Sequence, residues 1–415
     1  MRLRKERSRM ATARSGGILL LGAATAAATC LLGSGGAAGA STPPASSWPS
    51  QVAHPVKGSC PRGSTLVAPT SGWTDSLGVA HFSYKKAPGL VTNVPPRGLT
   101  ASRVSPALIA DVGLPAHSAA RSSVARREVR QVLNLAKNQT APAFCRSRAR
   151  PDKAVLARRS PSGRTSAPGH RFNHVYSGNW GGYAVTEAEN GGGMLGVYGS
   201  WTNPGSHTIS SPSESSTWVG IGGGLGEQSS VWGLIQDGTS METNEGYRSW
   251  FEYVGSSGCT GTLCNVQYTG YDDIRPGDSV SAQVWWVSQT QACFYFSDWT
   301  TGTGSISACQ ASISIPYDHT SVEWVNENWL EYEWYDNPGT VNWSDQAYTD
   351  SFNGGGTWKD PFSGSFEAVI MYTSGTPLPP CGNAGLLSYP ANPSTSSSGG
   401  SSQIITCSES GYDSP

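Results

Sequence analysis

Ser321–Glu331 reads SVEWVNENWLE. In extended chain, successive side chains fall on opposite faces. Glu323, Val325, Glu327 and Trp329 therefore share one side, and Val322, Trp324, Asn326 and Asn328 the other. Two carboxylates and a tryptophan on one side of a strand do not make an ordinary core face. They suit the floor of a polar cleft with aromatic walls.

The same texture runs through the C-terminal part of the chain. HVYSGNWGGYAVTEAE (174–189), MLGVYGSWTNPG (194–205), SSTWVGIGGG (215–224), SSVWGLIQDGTSMET (229–243) and YRSWFEYVG (247–255) are followed by DSVSAQVWWVS (278–288), ACFYFSDWTTG (292–302) and GSFEAVIMYTSG (364–375). These short aromatic and β-branched runs are separated by Gly, Pro, Asn, Asp and Ser. Of 15 tryptophans, 13 lie after residue 170, so the material for a core is concentrated there. No strand–helix alternation is visible, which excludes a doubly wound or α/β-barrel fold. The expectation is an all-β, two-sheet antiparallel β-sandwich over residues 171–390.

The net charge of −1 conceals two halves of opposite sign. Residues 41–170 hold 18 Lys/Arg against four Asp/Glu, whereas residues 171–415 hold four Lys/Arg against 24 Asp/Glu. A basic segment alone would suit nucleic acid, but here an acidic counterpart is already attached, and no nucleic-acid partner is expected. Ala119–Lys137, AARSSVARREVRQVLNLAK, predicts an amphipathic basic helix. Residues 41–170 therefore read as a basic propeptide that docks by charge. Arg158-Arg159 and the following loop SPSGRTSAPGHR are the candidate sites for its removal.

Residues 1–40 have a basic start, a short apolar stretch (Ile18–Leu32) and Ala38-Gly39-Ala40 before Ser41, the pattern of a cleaved signal peptide. The expectation is a secreted, extracellular monomer with no membrane association once the leader is gone. Without Cys30 in that leader, eight cysteines remain, an even number that favours disulfides in an exported chain. The simplest pairs are Cys259–Cys264, Cys293–Cys309, Cys381–Cys407 and Cys60–Cys145. Residues 391–415 are rich in Ser and Gly and predict a flexible tail.

Several familiar sites are missing. There is no GxSxG elbow, no HExxH or CxxC pair, and no paired Asp-Thr/Ser-Gly signature; GIGGGLG precedes no helical pattern. No metal and no cofactor is expected. Three signals remain: Gln236 in WGLIQDGTS, Trp250–Tyr253 in WFEY and Glu323 in VEWVNEN. In order along the chain, NWGGYAV, GSWTNP, STWVGIGG, the Gln-Asp-Gly-Thr step, WFEYV and SVEWVNEN resemble the glutamic peptidases, or eqolisins, over roughly residues 174–375.

The resemblance implies a lectin-like β-sandwich that cleaves proteins at acid pH with a Gln/Glu dyad, here Gln236 and Glu323. It also implies Trp250 and Glu252 as substrate-binding residues. Trp324, beside Glu323, is a further substrate-binding candidate. Substrates would be proteins or peptides, and the propeptide an intramolecular inhibitor. Two departures stand out: Gly222 occupies a position where fungal members often carry Asp, and the usual proline-tyrosine run after WFEY is absent.

Each residue also has a plainer reading. Gln236 can be a surface residue at a strand end, Glu323 part of a solvated acidic face with Glu327, Glu331 and Glu333, and Glu252 a buried, hydrogen-bonded acid. Trp250 and Trp324 can be core. Two other functions use the same residues. One is a glycoside hydrolase with Glu252 and Glu323 as its carboxylate pair; the other is a non-catalytic carbohydrate-binding sandwich.

Overall fold

The alternating runs become strands in the computed structural model. It describes residues 60, 64–115, 123–137, 143–146, 158–167, 170–177, 179–205, 214–223, 232–242, 246–255, 267–268, 274–302, 305–327, 339–354, 356–372, 386–396 and 399–406. By contacts the chain divides into Met1–Pro43 and Pro44–Pro415. The first unit, which holds the expected leader, lies outside the described residues.

In the second unit the N-terminal part forms β1 (Thr65–Val67), β2 (Ser71–Thr74), β3 (Ala80–Tyr84), β4 (Ala87–Val94), helices α1 (Pro106–Asp111) and α2 (Ser123–Leu135), and β5 (Phe144–Arg146). Then come β6 (Arg158–Ala167), β7 (His170–Ser177), β8 (Trp180–Thr186), the one-turn α3 (Glu187–Asn190), β9 (Gly196–Thr202), β10 (Glu214–Gly222), β11 (Gly233–Glu242) and β12 (Gly246–Gly255). The remaining strands are β13 (Gln267–Tyr268), β14 (Ser279–Ser288), β15 (Gln291–Asp298), β16 (Ile306–Ala311), β17 (Ser321–Glu327), β18 (Thr340–Thr349), β19 (Phe366–Tyr372), β20 (Leu386–Ser396) and β21 (Gly399–Thr406).

The protein is almost all β, as expected, but its ladders do not separate into two sheets. The 21 strands among the described residues belong to one hydrogen-bonded network. Three arrays can be followed within it. The first runs β1-β5-β13-β12-β11-β10-β17-β8-β19-β7-β6. The second runs β2-β3-β4-β16-β15-β14-β9-β18. The third is the β20–β21 hairpin, which pairs with β18 on one side and β19 on the other. The β7–β19 pairing is parallel, an exception to the antiparallel expectation.

One apolar core joins the first two arrays. Val219, Ile235, Phe251 and Trp324 from the first meet Val284, Trp286 and Phe294 from the second. Residues read as a propeptide contribute to that same core: Phe82, Tyr84, Leu90 and Phe144 are buried in it. Phe144 packs edge-on against Phe251 at 5.5 Å between ring centroids. Helices α1 and α2 cover the other face of the second array, where Leu108, Val112, Val132 and Leu135 pack with Trp285 and Tyr295.

The basic segment also makes contacts that are not ionic. The described ion pairs His81–Asp75, His319–Glu187 and Lys359–Asp350 each stay within one half. The Arg127 guanidinium of α2 is buried over the Tyr198 ring at 3.9 Å. Gln131 donates to Gln283, and Asn134 to the Asp298 carbonyl. Apolar burial and strand pairing thus join the segment to the rest of the chain, and its basic helix buries an amphipathic face.

Two further expectations change. The stretch read as a processing loop forms β6, paired with β7. The Ser/Gly-rich tail forms the β20–β21 hairpin through residue 406, since ladders on both sides satisfy its backbone and Ser402 donates to Gln346. Disulfides Cys60–Cys145 and Cys293–Cys309 are formed. Cys259, Cys264, Cys381 and Cys407 lie outside the described residues.

Candidate active site

Cross-strand partners in a ladder point to the same face. In the first array Glu252 pairs with Gln236, Gln236 with Gly220, Gly220 with Glu323, Glu323 with Ala184, and Ala184 with Glu367. Six strands thus present a single transverse row: Glu252, Gln236, Gly220, Glu323, Ala184, Glu367. Polar side chains stand in three groups, Glu252 with Gln236, then Glu323, then Glu367, separated by Gly220 and Ala184. This row lies on the face opposite the core.

Gln236 and Glu323 stand on either side of Gly220, two strand spacings or about 10 Å apart at the backbone. Gln236 donates from Nε2 to Glu252 Oε1 at 2.6 Å. A carboxylate only accepts, so the amide turns its nitrogen toward Glu252. Its Oε1 is buried without a hydrogen bond. Gln236 and Glu252 are each 3% exposed, and Glu323 and Glu367 are 0% exposed.

Neither oxygen of Glu323 makes a protein hydrogen bond. Burial pushes its carboxyl well above the usual range; the nearby Ser321 hydroxyl opposes this, and the Asp318 and Glu367 carboxylates reinforce it. Asp318 is held by the Thr320 amide and hydroxyl at 3.0 and 2.7 Å. It also bears on the departure at Gly222. That residue has φ of +100°, and a Cβ there would lie 2.1 Å from the Gly233 carbonyl oxygen and 3.0 Å from Asp318 Cβ and Cγ. A carboxylate thus stands beside this position, supplied from the segment that leads into β17.

Trp250 lies on the row's face, since it alternates with Glu252 along β12. It is buried with Trp180, Trp218, Ala184, Val325 and Val369. Cys145 belongs to the same cluster and Cys60 packs against it, so the N-terminal disulfide reaches this face. Trp324 is not brought to this face. Its position next to Glu323 sends it to the opposite side, where it is wholly buried in the core and donates to the Tyr198 carbonyl at 2.9 Å.

Two acids matter more than the sequence reading allowed. Glu367 escaped it, although a lone Glu inside the apolar run FEAVIMY was the available signal. Glu327, placed by alternation beside Glu323 on the floor of a polar cleft, accepts from Asn179 Nδ2 and Trp180 Nε1 at 2.9 Å each and from Trp218 Nε1 at 2.7 Å. Among the described residues no group of three His, Cys, Asp or Glu side chains is placed to hold a metal ion.

Carboxylates and an amide aligned on one face of an almost all-β protein are the equipment of a hydrolase. Residues 178–371 match the model of the Peptidase A4 family, which supports membership in the glutamic peptidases, or eqolisins. Among solved structures, the chain is similar to scytalido-glutamic peptidase with a transition state analog inhibitor (18% identity, TM-score 0.37, covering 55% of this chain and 98% of that one). It is also similar to SCP-B, a member of the eqolisin family, in complex with the tripeptide Ala-Ile-His (17%, TM-score 0.38, 55% and 98%). A third is aspergilloglutamic peptidase from Aspergillus niger (20%, TM-score 0.31, 47% and 99%). A search of curated proteins gives no match. Among the described residues no helix is long and apolar enough to cross a membrane.

Proposed function

We propose that the protein is a secreted, acid-acting glutamic endopeptidase, made as a zymogen, whose dyad is Gln236 and Glu323. The observation that carries the reading is the alignment of these two side chains on one face, on either side of Gly220, with Glu323 lacking a hydrogen-bond partner.

The residue types suit acid chemistry. Below about pH 5 an imidazole is protonated, whereas a solvated carboxyl with pKa near about 4.3 still ionises. An amide does not titrate, so its N–H donates at any such pH. Glu323 takes a proton from a water molecule, whose oxygen bonds to the scissile carbonyl carbon. The oxyanion that forms accepts from the Gln236 amide, which Glu252 orients. Glu323 then returns the proton to the leaving nitrogen as the C–N bond breaks.

In the covered state Glu323 cannot begin this cycle. Burial raises the pKa of its carboxyl and so favours the neutral form, which is no base. Removing the cover readmits water, lowers the pKa and restores the base.

The glycosidase reading has less behind it. Glu252 and Glu323 are three strand spacings apart, about 14 Å at the backbone, with Gln236 between them and bonded to Glu252.

The test is casein hydrolysis at acid pH by the processed protein and by Glu323→Gln and Gln236→Ala variants of unchanged circular dichroism. Each substitution is expected to lower activity at least about a hundredfold, the scale of losing a general base or an oxyanion donor. Near-wild-type hydrolysis by either variant removes that residue from the dyad.

A further inference from the structure

Glu327 has no part in the proposed proton transfers, yet it is tied to three side chains on the row's face. It lies four residues beyond Glu323 on β17, about 13 Å along the strand. Trp180 is its direct cross-strand partner on β8, and Trp218 lies diagonally across on β10. An indole N–H is a donor only, so two indoles can be fixed at one point by a group that accepts with both oxygens. Oε1 takes Asn179 and Trp180, and Oε2 takes Trp218.

The rest of the chain leaves room for both rings. A Cβ on Gly220 would lie 2.7 Å from Trp218 Cζ3, and one on Gly223 would lie 2.9 Å from Trp180 Cη2. The rings meet edge to face with centroids 5.1 Å apart. Anchored at Glu327, the Trp218 ring therefore reaches over Gly220, the gap between Gln236 and Glu323.

We propose that Glu327 is a positioning residue that builds an aromatic subsite beside the scissile bond. By holding the Trp180 and Trp218 indoles in place, it makes the enzyme select peptides with a large apolar side chain there. This rests on the peptidase reading above. Both rings are buried in the unprocessed chain, so it is once processing opens this face that such a chain lies on the indoles and buries apolar area, whereas an alanine side chain is too short to cover them. A glutamine at 327 has one acceptor oxygen, and its NH2 meets an indole N–H donor, so at least one ring is released.

The test compares processed wild type with Glu327→Gln on three quenched-fluorescence peptides that differ only in Phe, Leu or Ala at the residue preceding the cleaved bond. Wild type is expected to prefer Phe and Leu. Glu327→Gln is expected to lose about tenfold in kcat/KM on those two, the scale of a few methylenes in an apolar pocket, mainly through KM. Its loss on Ala is expected to be no more than about threefold, with the acid limb of the pH profile unmoved.

A Phe/Ala preference ratio that stays at its wild-type value, or an equal loss on all three peptides, overturns the positioning role. Should Glu327→Gln fail to fold, Trp218→Phe keeps the ring but removes its N–H, and the same collapse of the ratio is expected, with the same overturning outcomes. Wild type that cleaves none of the peptides and no casein sinks the peptidase reading itself, and this proposal with it.

Discussion

The two faces of β8, β10, β11 and β17 are nearly equally buried and differ in almost every other respect. One carries Tyr183, Val219, Ile235 and Trp324, and packs against the second array. The other carries Ala184, Gly220, Gln236 and Glu323. Burial alone does not tell core from site. On the first face each large side chain fills space, and Trp324 spends its N–H on a carbonyl. Unpartnered polar atoms occur on both, Asp237 Oδ1 and Oδ2 on the first and Gln236 Oε1 and both Glu323 oxygens on the second, but only on the second do an amide and several carboxyls share one row. Enclosing such atoms costs about 1–3 kcal/mol each, a cost with no return to stability.

The sharpest way to break the comparison is to injure the core face. Trp324→Ala is expected to cost about 3–5 kcal/mol of folding stability, the loss of a fully buried indole plus the cavity it leaves. Urea unfolding of the unprocessed chain measures it. A stability loss below about 1 kcal/mol would put Trp324 with the site rather than the core.

A second test uses one buried acid from each face. Asp237 points to the core side of β11, and burial pushes its carboxyl well above the usual range, with only the Gly238 N–H pulling the other way. Glu323 is raised for the same reason on the other face. An acid whose pKa is higher folded than unfolded binds its proton more tightly in the folded state. Its contribution is full below the unfolded pKa, about 4, and is lost as pH rises toward the folded value. Tm of the unprocessed chain should therefore fall as pH is raised from about 4 to 8. Asp237→Asn and Glu323→Gln should each flatten that fall. After processing, the Glu323 effect should shrink as solvent reaches it, while the Asp237 effect should persist. Equal persistence of both would mean that uncovering does not wet Glu323.

Much of this contrast was legible in the chain. Period-two alternation in SVEWVNE assigned Glu323 and Trp324 to opposite faces, although Trp324 was still kept as a substrate candidate because it is adjacent in sequence. Adjacency along a strand argues against a shared site, not for one. Glu252 was found through a motif, but its bond to Gln236 depends on the β11–β12 register, which alternation within one strand does not contain. Glu367 was missed for a related reason: it joins the row only through Ala184 on β8. The face of Glu327 was legible from the same alternation, but its indole partners on β8 and β10 depend on pairings that one strand does not contain. The 391–406 segment misled by composition, since backbone ladders can order a Ser/Gly-rich hairpin that has little side-chain material of its own. The N-terminal segment's place in the core was hidden by its charge, because its apolar residues are thinly spread among arginines.

The mildest test puts one methyl group into the gap at the centre of the polar row. Gly220→Ala would set a Cβ 2.7 Å from Trp218 Cζ3 and 3.0 Å from Leu234 Cδ1, both side-chain atoms able to give way. The stability cost is expected to be small, about 1 kcal/mol, the low end for overpacking, because no backbone atom is struck. The displaced indole, however, is the one that Glu327 holds beside the dyad. Activity on large apolar substrates should therefore fall more than stability does, and kcat/KM for the Phe peptide should drop more than for the Ala peptide. A methyl group added on the core side has no such route to the chemistry: it would lower stability and leave the Phe/Ala ratio where it was. If Gly220→Ala behaves in that second way, the space over Gly220 is packing, and the two faces differ in polarity without differing in purpose.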